Sequence, residues 1–457
     1  MSESFASIRG SNVGLPGWVA AAALLVVTAT PGLGQIARPF FILGCGAVGW
    51  YAWRQGPGAH LKVALTLFAF APLVRRVVDL SVGYDYTGLM LIGPLLAILV
   101  PVPQLLLARQ QSADRMMPLL LAVGGCAIYA GSLSLVRGDW LNAASGTLKW
   151  CAPLFYAAAL IEYSDRKEVV QAAASAFLVI LPLAGLYGII QYVDPQDWDL
   201  YWMQFAPILS AGEPVPYGVR TFSTMNSPAS FATFTAVGLI IICISQAGWR
   251  SVLPASLAGI ALMLSLYRTA WISLAFGLLF CTLFSSTRSK ASAILLGTVV
   301  IVVLAAMLTP FGEVISERAA TFAEGAQDGS AQERLGEFVT LWNQWDSSLF
   351  GVGFSSSDVG SAGKMPIDGM FVECWLQMGI VVGLICLSAL FLAIANTIRS
   401  AWQDRGLDAV IIGALGCGAL VQVPLADITS GETGFLFWTF AVMAARERGL
   451  GRGTGAW

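Results

Sequence analysis

Hydrophobic positions along this chain neither alternate nor follow a sustained helical period. They gather in long runs separated by short polar connections, near 15–33, 39–53, 61–78, 87–107, 117–136, 147–163, 168–192, 227–247, 252–267, 269–286, 291–309, 370–397, 408–425 and 433–446. Apolar runs near 20 residues are what a helix needs to cross a bilayer. A transmembrane barrel would instead show short alternating segments with a polar lumen face. Several of these runs are short or broken by glycine, so the pattern predicts an all-α, polytopic membrane protein with about 12–14 transmembrane helices. No internal repeat, low-complexity tract or detached soluble domain interrupts it, so 1–457 reads as one integral membrane domain.

Two polar intervals stand out. The interval 193–226 opens with Asp194, Asp197, Trp198, Asp199, Tyr201 and Trp202, then passes Pro214 and Pro216 to Arg220. Tryptophan and tyrosine at a span end serve as interfacial anchors, and a flat apolar face with carboxylates nearby also suits a sugar. The interval 310–369 is the longer one. In it, Leu335, Phe338, Leu341, Trp342 and Trp345 recur at helical spacing, with Glu333, Arg334 and Glu337 between them. This predicts an amphipathic helix over Gln332–Trp345, lying at the interface. Ser347–Gly363, rich in Gly and Ser, reads as a mobile cover.

Composition agrees with a membrane body: 57% of residues are hydrophobic and 11% charged, where soluble globules carry about 25% charged residues. The eight cysteines lie in or beside apolar runs and form no CxxC pair, so they read as core packing. With the N-terminus inside, the inner segments hold 15 of the 25 basic residues and 8 acidic ones, and the outer segments hold 10 basic and 19 acidic. The positive-inside rule thus places both termini in the cytoplasm and both long loops outside. The first run lacks a small-residue cleavage site and reads as a retained span. Nothing resembles a nucleic-acid-binding region, and the short cytoplasmic loops leave no room for a nucleotide-binding domain.

On an acidic outer face, arginines beside the membrane are candidates for chemistry: Arg75, Arg76, Arg220, Arg268, Arg318 and Arg334. Arg268, between two spans with almost no loop, either snorkels outward or clamps an anionic head group. A guanidinium stays protonated and offers five donors suited to bidentate phosphate binding. Arg220 precedes Thr221, Ser223, Thr224, Asn226 and the helix-start pair Ser227-Pro228, a set that could hold an anion at a helix N-terminus. Arg75 and Arg76 with Asp79 form either a paired structural cluster or a substrate contact. Asp368 is a helix cap or a base for an acceptor hydroxyl, and Glu373 lies inside an apolar run, where a carboxylate is a functional candidate by default. The single histidine, His60, falls in a cytoplasmic loop, so neither a zinc site nor a Ser–His–Asp triad can be assembled outside. Chemistry without metal or cofactor is expected.

Four segments carry a resemblance. Ser265-Leu-Tyr-Arg268-Thr-Ala-Trp-Ile-Ser-Leu is similar to the Ser/Arg entry of the O-antigen ligase and polymerase superfamily. Arg220-Thr-Phe-Ser-Thr-Met-Asn226-Ser-Pro resembles its Arg–Gly–Thr–Asn–Pro–Asn loop. Ser348-Leu-Phe-Gly351-Val-Gly353-Phe resembles its Leu-x-Gly-x-Gly turn. Asp368-Gly-Met-Phe-Val-Glu-Cys-Trp-Leu-Gln-Met-Gly379-Ile-Val-Val-Gly383 resembles its His-Asn-x-Tyr-Leu…Gly-x-x-Gly segment. Together they span about 220–390, in family order. The resemblance implies a GT-C-like, inverting, metal-independent glycosyltransferase of the bacterial inner membrane. It would move a glycan from undecaprenyl pyrophosphate to a hydroxyl on the periplasmic face. Arg220, Arg268 and Asn226 would hold the pyrophosphate, with Arg334 on the loop helix beside them and Arg75 and Arg76 as further contacts. Asp368, or Glu373, would orient or deprotonate the acceptor. Ligases carry histidine where this chain has Asp368, so a Wzy-type polymerase of exopolysaccharide, capsule or O-antigen fits better than a ligase acting on lipid A core or protein. A lipid-linked oligosaccharide flippase or transporter is the remaining class. Expected partners are the lipid-linked donor and acceptor and the bilayer, with a chain-length regulator and a flippase as further candidates.

Overall fold

The computed structural model describes residues 15–107, 114–206, 209–246, 248–308, 336, 339, 342, 349–354 and 369–445. In chain order the helices are α1 (Gly17–Thr28), α2 (Ala37–Gln55), α3 (Pro57–Val82), α4 (Ile92–Leu99), α5 (Val102–Leu107), α6 (Met117–Val136), α7 (Trp140–Tyr163) and α8 (Arg166–Val193). They continue with α9 (Asp197–Phe205), α10 (Pro228–Ser245), α11 (Val252–Leu264), α12 (Arg268–Thr282), α13 (Arg288–Leu308), α14 (Met370–Asp404), α15 (Leu407–Gln422) and α16 (Gly431–Ala441). Among the described residues there is no named strand, and one antiparallel bridge pairs Gly212 with Val219.

Each of the fourteen apolar runs falls on helix. Among the described residues, five helical stretches, Leu89–Leu107, α6, α8, α10 and α14, are long and apolar enough to cross a membrane. The pair Gly17–Thr28 and Pro31–Gln55 passes the same test together, bent by 110°. Helices α11, α12 and α15 are apolar but shorter. The protein is therefore a multi-pass all-α membrane protein. Helix α3 carries Lys62, Arg75, Arg76 and Asp79 within it. Polar caps mark several starts: Asp139 accepts from the Asn142 amide (3.3 Å), Asp165 from Glu168 (2.8 Å) and Ser227 from Ser230 (3.1 Å). Each satisfies a donor that the first turn leaves unpaired.

Helix α8 is central, packing against α3, α10 and α11, while α15 joins α12 to α14 and α6 joins α7 to α14. Close approach in lipid relies on small residues. At Gly185 a Cβ would lie 2.6 Å from the Leu257 backbone, so α8 and α11 touch there main chain to main chain.

The helix ends sort into two polar layers. In one, Arg166 donates to Asp404, to Ser400 Oγ (3.0 Å) and to the Met443 carbonyl (3.0 Å). There, too, Glu168 accepts from the Gly58 amide (3.0 Å) and Lys290 reaches the Ile244 carbonyl (3.2 Å). These residues belong to the segments that the charge pattern is expected to place inside. His60 corrects one detail: it lies in the first turn of α3 rather than in a loop. It is fully buried between Tyr156 OH (3.2 Å) and the Ala97 carbonyl (3.1 Å). Six of the eight cysteines are buried and all are free, as core packing requires. The opposite layer holds the described loop residues around Val219–Asn226 and the candidate site.

Candidate functional site

The segment from Val219 to Met225 is a loop that is almost entirely buried apart from Arg220. A buried backbone must find partners for its polar groups, and here α3, α8 and α9 supply them. Gln191, in the last turn of α8, accepts the amides of Phe222 (3.0 Å) and Ser223 (2.7 Å) through Oε1 and donates through Nε2 to Asp199 Oδ2 (2.9 Å). Tyr187 OH donates to the same Asp199 oxygen (2.7 Å). Asp199 Oδ1 faces Arg76 Nη1 at 3.0 Å, both side chains being 0% exposed. Arg76 also donates to the Ser223 carbonyl and lies over the Phe222 ring (4.7 Å). Ser223 takes φ +51°, unusual for a residue with a side chain, and its hydroxyl is tied to the Ala184 carbonyl (2.5 Å).

Beyond this loop α10 starts at Pro228, with Ser227 as its cap. Arg268 opens α12 after a three-residue turn in which Leu266 has φ +53° and Ser265 Oγ donates to Leu262 (2.6 Å). The Thr221 amide donates to the Leu264 carbonyl (3.1 Å), so the Arg220 loop and the Arg268 turn are stitched together. Arg220 and Arg268 are both half-buried. Two helix N-termini thus accompany two guanidiniums, and each N-terminus adds a partial positive charge. Thr224 Oγ1 and Asn226 Oδ1, in the same loop, are buried and have no hydrogen-bond partner among the described residues. Buried polar atoms of that kind call for a ligand, a water or a neighbour.

A second cluster forms at the start of α14. Gly369, at φ +94°, turns the chain against Pro424, and the Met370 amide donates to the Val423 carbonyl (2.9 Å). Glu373 accepts from Gln377 Nε2 (3.0 Å) and is close enough to Asp427 for the two carboxylates to influence each other. Asp427 caps the turn into α16, accepting the Thr429 amide (2.8 Å) and hydroxyl (3.0 Å). Six residues after Glu373, α14 breaks at Gly379 (φ +77°, ψ 176°). The segment Leu349–Phe354 fills that break. The Val352 amide donates to Leu376 O (2.7 Å), the Gly353 amide to Gln377 O (2.9 Å) and the Ile380 amide to Leu349 O (3.1 Å). Tyr129 OH (2.9 Å) and Arg137 (3.3 Å) bind the Phe350 and Gly351 carbonyls. Two glycine motifs far apart in sequence therefore form one clip.

Residues 253–387 match the family described as O-Antigen ligase. The match supports the O-antigen ligase/polymerase superfamily, whose members are polytopic, glycosyltransferase-like membrane enzymes. No curated protein matches the chain. Within the O-antigen ligase region lie Arg268, the clip and Glu373; Arg220, Asn226, Arg75 and Arg76 precede it.

The expected site residues therefore distribute unevenly. Arg220, Asn226 and Arg268 share one polar layer. Arg76 is paired with Asp199, and Arg75 with Asp79 (3.3 Å) and the Asp85 carbonyl (2.5 Å), with Arg38 as a second partner of Asp79 (2.9 Å). Glu373 belongs to the second cluster, which α15 connects to α12 through Gln422 Nε2 and Ser273 Oγ (2.9 Å). A cavity of about 40 Å³ lies beside that bond, lined among others by Thr233, Ser273, Thr397, Gln422 and Thr433. Its size suits a few waters. Arg334 and Asp368 lie outside the described residues, as does the predicted amphipathic helix except for Gly336, Val339 and Trp342, which are helical. Trp342 meets Trp375 edge to face at 6.2 Å. Sequence reasoning missed Gln191, Arg137 and Asp427. A carboxylate between the last two spans was a readable sign for Asp427; a glutamine and an arginine at span ends carry no such signal. Among the described residues no three His, Cys, Asp or Glu side chains converge as a metal site would require.

Proposed function

We propose that this protein is a GT-C-like, inverting polymerase of a surface polysaccharide. It transfers a glycan from an undecaprenyl pyrophosphate carrier to a hydroxyl of another lipid-linked repeat unit, on the periplasmic face of the inner membrane. The observation that carries the reading is the stitching of the Arg220 loop to the Arg268 turn beside the N-termini of α10 and α12. A leaving pyrophosphate gains negative charge as the glycosidic bond breaks. Fixed guanidiniums and helix N-termini stabilise that charge more in the transition state than in the ground state. Arg220, Arg268 and Asn226 are the proposed pyrophosphate ligands, joined by Arg334 from the long loop. Arg75 and Arg76 support the site from behind. The acceptor hydroxyl attacks the anomeric carbon from the face opposite the leaving group, and Asp368, or Glu373, orients it or takes its proton. The pyrophosphate linkage supplies the driving force, so no nucleotide, metal or other cofactor enters the step.

The ligase reading is favoured by one observation, the description of the matching family. A single experiment separates the two. Cells lacking the protein are complemented with wild type, Arg268→Ala or Arg220→Ala, and their lipid-linked glycans are sized. Single repeat units with no long chains in the variants support polymerisation. Long chains that stay on the carrier instead of reaching lipid A core or protein support ligation. Normal glycans in Arg268→Ala remove the clamp from the mechanism.

A further inference from the structure

We infer that the buried chain Arg76–Asp199–Gln191 is a positioning device for the anion-binding loop, setting where Arg220 and Asn226 stand. The inference rests on the reading of Arg220 as a pyrophosphate ligand. The amides of Phe222 and Ser223 are both donors, so only the oxygen of the Gln191 side chain can face them. That leaves its nitrogen pointing at Asp199, which accepts it at 2.9 Å. Asp199 thereby fixes which way the Gln191 amide is turned. Arg76 in turn anchors Asp199 at 3.0 Å and closes the circuit by donating to the Ser223 carbonyl. The result is a left-handed Ser223 held at its N–H, its C=O and its hydroxyl. Three residues on one side of it is Arg220, and three on the other is Asn226.

Stability alone does not account for this arrangement. A buried ion pair is often no more stabilising than apolar residues of the same volume, and what it adds is a specified geometry. Here the geometry reaches the backbone of one loop. Arg76 from α3 and Gln191 from α8 bond the main chain of Phe222 and Ser223, and Asp199 from α9 links the two. None of the three side chains is accessible, so each acts through the loop rather than on a ligand.

The test uses the full-length protein in nanodiscs, with undecaprenyl pyrophosphate lacking a glycan as the probe and thermal unfolding measured alongside. Gln191→Met removes the oxygen that both amides share and is expected to weaken probe binding about tenfold. Asp199→Asn and Gln191→Glu are each expected to do the same. The double variant Q191E/D199N exchanges donor and acceptor between the two positions while keeping one carboxylate and an acceptor for both loop amides. It is expected to return binding to within about threefold of wild type, a coupling that independent sites do not show. Arg166→Gln, which breaks the ion pair in the other polar layer, should lower the unfolding temperature without changing probe affinity. The inference is overturned if the double variant binds no better than the single ones, or if Arg166→Gln weakens binding as much as Gln191→Met. Arg220→Ala separates the two layers of reasoning. Unchanged binding in that variant overturns the ligand reading and the inference with it. Weakened binding in Arg220→Ala with none in Gln191→Met overturns the positioning role alone.

Discussion

Gly379 is where the helix carrying Glu373 and the long loop hold each other, and replacing it with alanine tests that clip. At φ +77° and ψ 176° the backbone is in a region essentially confined to glycine, which costs an L residue roughly 1–3 kcal/mol. The new Cβ would also lie 2.3 Å from the Leu349 carbonyl oxygen and 2.5 Å from the Phe350 carbonyl carbon. Forcing a methyl into such a contact costs roughly 1–3 kcal/mol. The chain can escape by straightening α14, but it then loses the Val352, Gly353 and Ile380 hydrogen bonds, each about 1 kcal/mol net. Both routes arrive near 3 kcal/mol of destabilisation, as an order of magnitude. Unfolding in mixed micelles measures the cost, and amide exchange at Val352 and Gly353 reports whether the clip has opened. Gly125→Ala is the control. A methyl added to that glycine would have nothing within 4 Å, and the position lies inside α6, where alanine should stabilise by about 0.5–1 kcal/mol. If Gly379→Ala unfolds within about 1 kcal/mol of wild type with the two amides still protected, the clip does not hold the break.

Three further outcomes are expected. Arg166→Gln removes the charged donor to Asp404 and Ser400 and should cost about 2 kcal/mol in the same unfolding assay, less than a fully buried pair because Asp404 is partly exposed. Asp85 lies in the loop after α3. Burial alone would raise its carboxyl, but hydrogen bonds from the Thr87 hydroxyl and from the Leu89 and Thr87 amides outweigh it and hold the carboxyl below its ordinary value. A carboxyl depressed in the folded state adds stability above its unfolded pKa and loses it as pH falls through the folded one. Acid unfolding should therefore be shallower in Asp85→Asn than in wild type below about pH 4; identical acid limbs contradict the assignment. Finally, if Glu373 serves the acceptor, Glu373→Gln should cut polymer formation at least tenfold, about 1.4 kcal/mol in the barrier, with the protein still folded. Asp427→Asn should have a smaller effect, since asparagine keeps an acceptor for the cap of α16 and Asp427 is not the group proposed to meet the acceptor; full polymer length in Glu373→Gln assigns that carboxylate a structural role.

The helices were legible because their signal is redundant: fourteen apolar runs, several of them short, all lie on helix. Arg220 and Arg268 were legible as candidates for a different reason, since cations next to spans are costly enough to be noticed, and only the resemblance put them in one site. What joins them was not. The Thr221–Leu264 hydrogen bond is between main-chain groups, and no residue type announces it. The same holds for the clip: Gly351, Gly353 and Gly379 each mark a turn, but only the fold shows that they fit one another. The break in α14 was invisible within a continuous apolar run, because a single glycine in such a run is ordinary until another segment supplies the hydrogen bonds that it frees.

The arginine pair at 75–76 shows why position along the chain misleads about chemistry in a membrane body. Adjacent on a helix, the two side chains leave about 100° apart and meet different surroundings. Arg75 turns to Asp79 and the 83–88 turn, and Arg76 to Asp199 and the Ser223 loop. An arginine at this depth costs at least roughly 2.5–3.5 kcal/mol on insertion scales unless it is compensated, and the carboxylates of Asp79 and Asp199 compensate these two. Such paired cations are poor clamps, because a ligand would have to displace the carboxylate first. Arg220 and Arg268 stand elsewhere. Both are half-buried in the helix-end layer, Arg220 on a loop and Arg268 in the first turn of a helix, where the macrodipole disfavours a cation. On the proposed reading, an anion bound there would also be favoured by the N-termini of α10 and α12. In that reading Arg76 holds the Ser223 loop, and Arg220 and Arg268 meet the ligand.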